Sequence, residues 1–248
     1  MARSRYLDRL RRRGAHRPSE RAAAAPRAGQ LRGDLRVAVI GLGRFGCSLG
    51  TELMRRGWDV LGIDSDAALV QRMRDVLTHA AAADCTDPEA LDQLGVVEFS
   101  RAVVAIGDSL EASVLVTSNL ADAGVPLIWA KAVSRQHGRI LERVGAHHVV
   151  LPEQDMGERV AHLVTGRMLD FIEFDDDYAL AKTVAPACAT GQPLGELRVR
   201  ARYGVTVVGI KRSGEDFTYA TAETVVRLGD IVIVTGRTRA VETFADLV

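Results

Sequence analysis

VAVIGLGRFG, residues 37–46, runs a short block of β-forming apolar residues straight into Gly41-Leu42-Gly43-Arg44-Phe45-Gly46. The block reads as a buried strand and the glycine pattern as a tight turn that opens a helix. In such a turn Gly41 permits the sharp reversal, Gly43 lets backbone approach a phosphate, and Gly46 lets helix and strand pack closely. The helix N-terminus then offers unpaired N–H groups to the anion.

A GxGxxG pattern by itself is weak, and its context decides it. Asp64 ends the next apolar run, 18 residues after Gly46. That spacing suits a carboxylate that accepts from a ribose hydroxyl, and a carboxylate there disfavours a 2′-phosphate. Arg44 adds a cation beside the phosphate position and suits a phosphate-rich ligand such as ATP or ADP.

Outward from this unit, short β-branched runs alternate with helical patterns. The expected strands are 37–40, 58–63, 79–84, 101–106, 127–132 and 147–152, with helices near 44–56, 66–76, 88–94, 110–123 and 135–145. This alternation predicts an α/β fold with a Rossmann-like, doubly wound parallel sheet. Ligands of such sheets sit at the carboxyl ends of the strands, where Asp84-Cys85-Thr86 and Gly107-Asp108-Ser109 would line the adenine and ribose side. Lys131, after the fifth strand, either reaches a phosphate or is a solvated lysine.

A further helix over 154–165 places Met156, Val160 and Leu163 on one face and could lead out of this domain. After Gly166 the rhythm changes to apolar runs at 169–174, 178–184, 203–212 and 229–236, with turns at Ser213-Gly214 and Gly229-Asp230 and a closing helical run. These predict a second, smaller α+β domain over 166–248, following a nucleotide-binding domain over 35–165. A core of that size is thin and favours partnering.

Composition narrows the function classes. Residues 1–34 carry 10 Arg against three acids, a balance of +7, while the rest of the chain carries −7. This Arg- and Ala-rich segment reads as a disordered basic arm. Such a cluster attracts anionic lipid or nucleic acid electrostatically, but nothing specifies a nucleic-acid partner. Cys47, Cys85 and Cys188 form no CxxC pair, so neither a disulfide framework nor a zinc site is expected, and a cytoplasmic location is. No apolar run approaches the roughly 18 residues of a membrane-spanning helix, so a membrane role must pass through a partner.

Hydride transfer would need an acid or base beside a nicotinamide. The histidines offer no constellation, since His147 and His148 are adjacent and point to opposite faces of a strand. An NAD-dependent oxidoreductase therefore rests on the glycine fingerprint alone.

Taken in order, VAVIGLGRFG (37–46), Asp64, AADCTD (82–87), VVAIGDSLEAS (103–113), IWAKA (128–132) and VGAHHVVLPEQDMG (144–157) resemble the RCK family, regulators of potassium conductance. The match is to the KtrA/TrkA type of cytosolic subunit of bacterial potassium-uptake systems. RYGVTVVGIKRSG (202–214) and LGDIVIVTG (228–236) look like the family's C-terminal lobe. The resemblance implies a non-enzymatic regulator whose first domain binds ATP, ADP or NAD(H) as an effector. It implies dimers that assemble into an octameric ring beneath an integral-membrane potassium transporter subunit of the KtrB/TrkH class, or service to another cation transporter. The implied nucleotide-binding residues are Gly41, Leu42, Gly43, Arg44, Phe45, Gly46, Asp64, Ser65, Asp84, Cys85, Ile106, Gly107, Glu111 and Lys131. Arg44 falls where the family senses the terminal phosphate, and Glu153 where some members hold a divalent or monovalent cation at the dimer interface. Some members bind cyclic di-AMP in the C-terminal lobe. FTYATAETVV (217–226) departs from the family pattern, lacking its proline near Ala220 or Thr221.

Overall fold

The computed structural model describes residues 34–165, 168–174 and 177–247. The expected basic arm, apart from Asp34, lies outside them. The chain divides into two compact units between Val150 and Leu151.

The first unit is built on parallel strands β1 (Arg36–Ile40), β2 (Asp59–Asp64), β3 (His79–Ala82), β4 (Arg101–Val104), β5 (Leu127–Lys131) and β6 (His148–Val150). They form one six-stranded sheet in the order β3-β2-β1-β4-β5-β6, the doubly wound arrangement expected from the sequence. The chain reverses its direction of winding between β1 and β4, and there a crevice opens at the strands' carboxyl ends. Both faces of β1 must be covered, and Val37 to Ile40 are accordingly buried without alternation. At the opposite end of the sheet, Asp34 accepts from the Arg36 guanidinium at 3.0 Å, and the Arg101 guanidinium sits 4.9 Å over the Trp58 ring.

The connecting helices are α1 (Arg44–Arg55), α2 (Ala67–Met73), α3 (Pro88–Gln93), α4 (Leu110–Asp122) and α5 (Arg135–Arg143). The strands β3 to β6 each stop one or two residues earlier than their apolar runs suggested, and at two of them the reason is visible. After β3, Asp84 accepts from both the Thr86 N–H and the Thr86 hydroxyl, a local turn that competes with the ladder. Beyond β4, Ala105 still donates to the Ile40 carbonyl, but the chain then turns out toward the crevice.

The second unit carries β7 (Met168–Phe174), β8 (Tyr178–Val184), β9 (Val205–Lys211), β10 (Thr218–Tyr219) and β11 (Ile231–Arg237), in a five-stranded antiparallel sheet ordered β10-β9-β11-β8-β7. Strict alternation on β8 and β11 turns Ala179, Ala181, Val232 and Val234 inward onto Val241 and Phe244 of the closing helix. Two short helices, α7 (Leu194–Leu197) and α8 (Val199–Tyr203), were not expected from the pattern. Between them Arg198 has φ 51°, a left-handed conformation that is uncommon for a non-glycine residue. The closing helix, here α9, spans Thr238–Ala245.

The helix expected over 154–165 begins two residues earlier, as α6 (Pro152–Thr165), because proline suits a first helical turn. The sequence reading attached this helix to the first domain. Its described contacts lie with the second unit: Arg159 pairs with Asp170, and His162 stacks on Phe171 at 4.0 Å and reaches Glu242 at 2.9 Å.

One ion pair closes the second unit. Asp230 is buried, receives Arg212 through both carboxylate oxygens at 3.1 and 2.8 Å, and accepts the Arg227 N–H at 2.9 Å. The Arg212 hydrogen bond is the main force holding the Asp230 carboxyl below its ordinary range. A carboxyl lowered on folding contributes stability above its unfolded pKa and loses it as pH falls through the folded value. Asp230→Asn should therefore melt below the wild type at pH 7, and the gap should close under acid, below about pH 4; thermal melts across pH check this.

Candidate nucleotide-binding site

Three glycines make the junction of β1 and α1, each for a different reason. Gly41 has φ 98°, and its N–H donates to the Ile63 carbonyl at 2.8 Å, so the turn is tied to β2. A Cβ on Gly46 would lie 1.8 Å from the Gly41 carbonyl oxygen, so only glycine lets the helix start this close to the strand. Around a Cβ on Gly43 there would be nothing within 4 Å. Packing therefore does not require glycine at position 43, and the space beside it is open.

The first turn of α1 differs from those of its neighbours. Side chains cap α2 (Asp66), α3 (Asp87), α4 (Ser109) and α5 (Ser134). The cap position of α1 is Gly43, without a side-chain bond, and its first turn holds no acid. Uncapped first-turn amides and the positive end of a helix dipole are features that attract anions.

Asp64 stands at the end of β2 and is half-buried. One of its oxygens accepts the Leu42 N–H at 2.6 Å and the other the Asp66 N–H at 2.9 Å. These bonds fix the carboxylate beside the glycine turn with lone pairs left for a hydroxyl donor. Leu42 itself is a core residue: its side chain is fully buried against Val39 and Val60, and only its amide belongs to the site. Arg44 is exposed beside the open anion position, and Phe45 is half-buried.

Lys131 reaches into the same place. A Cβ on Gly107 would lie 2.9 Å from its Nζ, and that Nζ is 5.9 Å from the centroid of the Phe45 ring. The ammonium therefore joins the end of β5 to the loop after β4 and to the glycine turn. The Lys131 side chain is half-buried, with its ammonium against the loop after β4.

The third strand end is arranged differently from expectation. Asp84 is exposed, and its bonds to Thr86 hold its carboxyl below the ordinary range. Cys85 turns inward, and burial, reinforced by the charges of Asp84 and Asp64, pushes its thiol up to about 12. It offers backbone rather than sulfur. Asn119 on α4, which sequence reasoning missed, donates to the Thr86 carbonyl at 2.9 Å and the Cys85 carbonyl at 3.3 Å, pinning this loop from 33 residues away. Cys47 was also missed: its thiol donates to the Leu42 carbonyl at 2.9 Å.

Ile106 precedes Gly107 on the same loop. Ser65 and Glu111 are exposed, and among the described residues no hydrogen bond ties either to the glycine turn. Glu111 lies in the first turn of a helix already capped by Ser109. Glu153 lies in the first turn of α6 beside Asp155. Among the described residues no group of three His, Cys, Asp or Glu side chains could hold a metal ion. His147 and His148 diverge as alternation requires: the first accepts the Ile128 N–H at 3.1 Å, and the second stacks on Trp129 at 4.2 Å.

The glycines make opposed expectations. Aspartate is a good helix cap, and Gly43 has an extended conformation that it tolerates, so Gly43→Asp should keep the stability or raise it by roughly a few tenths of a kcal/mol while its charge excludes an anion. Gly46→Ala must move backbone and should cost at least about 2 kcal/mol, or about 4–8 °C. Thermal melts of both variants check the contrast.

The TrkA-N domain family matches residues 37–152 and the TrkA-C domain family residues 183–248. Ktr system potassium uptake protein C of Bacillus subtilis (strain 168) is 38% identical over 208 residues, which is 84% of this chain and 94% of that protein. Ktr system potassium uptake protein A of Vibrio alginolyticus is 35% identical over 205 residues, 82% of this chain and 93% of that protein. Among solved structures, the GsuK RCK domain has a TM-score of 0.60 at 17% identity, covering 85% of this chain and 47% of that one. The GsuK channel bound to NAD has a TM-score of 0.58 at 18% identity, covering 85% of this chain and 39% of that one. The chain thus spans less than half the length of these solved chains, and the likeness is one of fold. With both domain families in order and such identity over most of its length, the chain belongs to the Ktr family of potassium uptake proteins, which are regulatory proteins and not enzymes.

Proposed function

We propose that this protein is a nucleotide-sensing regulatory subunit that gates a separate potassium transporter of the KtrB/TrkH class at the inner face of the cell membrane. The observation that carries the reading is the uncapped N-terminus of α1, open at Gly43 and bordered by the Asp64 carboxylate and the Lys131 ammonium. Such a site takes a ligand with a phosphate centre and a ribose on one side. ATP, ADP and NAD(H) all meet that description, and the NAD held by the GsuK channel supports a dinucleotide among them. Among the described residues no helix is long and apolar enough to cross a membrane, which fits action through a membrane partner.

The nucleotide acts by being bound. Different phosphate chains contact Arg44 and its neighbours differently, and a ligand shifts a conformational balance only by its differential affinity for the two states. Moving a balance from 1:99 to 99:1 takes about 5.5 kcal/mol, which a ring of subunits can sum from small differences. Paired domains assembled as dimers and an octameric ring would then strain the transporter open or closed.

Glu153 would supply one carboxylate per subunit to a divalent or monovalent cation. A hard cation needs several oxygens, so the site would be complete only with a symmetry mate and phosphate oxygens. The lobe over 166–248 would take cyclic di-AMP only if Ala220 and Thr221 substitute for the family's proline geometry.

Two measurements check this reading. Asp64→Ala should weaken NADH, ADP and ATP binding at least about tenfold in calorimetric titration, since the ribose loses a charged acceptor; unchanged affinities would refute the site. Glu153→Gln should blunt cation stimulation of potassium flux in vesicles reconstituted with the transporter, and an unaltered cation response would refute that role.

A further inference from the structure

Lys131 ends β5 opposite Val150 of β6, and the turn that follows it is held by one buried side chain. His137, in the first turn of α5, is only 3% exposed. Its Nδ1 accepts the Val133 N–H at 3.3 Å, while its own N–H donates to the Ser134 cap at 3.1 Å. The turn is closed further by the Gly138 N–H on the Ser134 carbonyl and the Ala132 N–H on the Val150 carbonyl. Val133 and Lys131 both face Gly107, whose Cβ would lie 3.6 Å from the Val133 side chain.

An Nδ1 that accepts must be unprotonated, so the ring is neutral and carries its hydrogen on Nε2. That Nε2 is buried without a hydrogen-bond partner among the described residues. A second proton on the ring would put a donor against the Val133 N–H and a charge in a site that offers it no acceptor. Burial alone pushes the imidazole below its ordinary value. The charged or titratable groups of the elements packed on α5 are Lys131 on β5, His148 on β6, and Glu111 and Asp122 on α4. On α5 itself they are Arg135, Arg139, Glu142 and Arg143. None of them offsets the burial. His148 stacks on Trp129, while its neighbour Val149 faces α5 at Gly138.

We propose that His137 is a positioning residue for the nucleotide site, fixing Lys131 only as a neutral Nδ1 acceptor, so that protonation of its ring weakens nucleotide binding. This rests on the nucleotide reading of the crevice. Binding confined to the neutral form falls about tenfold for each pH unit below the imidazole's titration point.

The test titrates NADH into the full chain at pH 8.0, 6.5 and 5.0, using wild type, His137→Asn and His137→Leu. Asparagine places an untitratable acceptor near Nδ1, and leucine removes the acceptor. Wild type should lose affinity toward pH 5.0, His137→Asn should bind with little pH dependence, and His137→Leu should bind at least about fivefold more weakly at pH 8.0. Wild-type affinity in a folded His137→Leu, or the same acid loss in His137→Asn, overturns the proposal. If His137→Leu does not fold, imidazole NMR of the wild type decides: saturating NADH should move the His137 titration to lower pH, and an unmoved or raised titration overturns the proposal. Gly43→Asp separates the two claims. If that variant binds NADH as the wild type does, the crevice reading itself fails.

Discussion

The close approach of Gly46 to the carbonyl of Gly41 is the constraint on which the first unit's glycine turn depends. A helix that begins this close to the strand end must point its first-turn amides across the same turn, and no side chain of the turn is placed to receive them. The rest of the loop is held just as firmly. Gly41 is bonded to β2, the Leu42 side chain fills the core, and the Leu42 amide is bonded to Asp64. Unmet backbone donors of this kind are normally satisfied by a cap, and here every neighbouring helix of the unit has one. The fold therefore leaves the first-turn donors of α1 without a side-chain cap while bonding the turn before them firmly in place.

Charge around that helix end has a pattern. Arg44 and Lys131 flank the middle, while Asp64 and Asp84 stand at the ends of β2 and β3. Cations beside the anion position and acids beyond it suit a molecule that is negative at its centre and hydroxylated at its side. Among the described residues the adjacent histidines are engaged with Ile128 and Trp129, and Cys85 is a buried thiol.

Much of this was legible in the residues because it is local. The β1 block, the spaced glycines and the acid at the end of the next strand lie within 28 residues, and their periodicity and steric needs are readable without a fold. What was hidden depends on contacts between distant segments or on local competition. Leu42 and Cys85 sit within binding motifs yet pack inward, which burial alone reveals. Asn119 matters only because α4 lies over the loop after β3. His137 looked like one more polar helix residue until the turn before it closed on its ring. The short helices around Arg198 escaped notice because a left-handed arginine has no sequence signature.

The most direct measurement is amide hydrogen exchange along the whole chain with and without saturating ADP. If the end of α1 is the anion site, protection should concentrate at the amides of residues 43–47 and around Lys131, with little change at the capped starts of α2 and α3. Protection that leaves residues 43–47 untouched and gathers elsewhere would contradict the central claim.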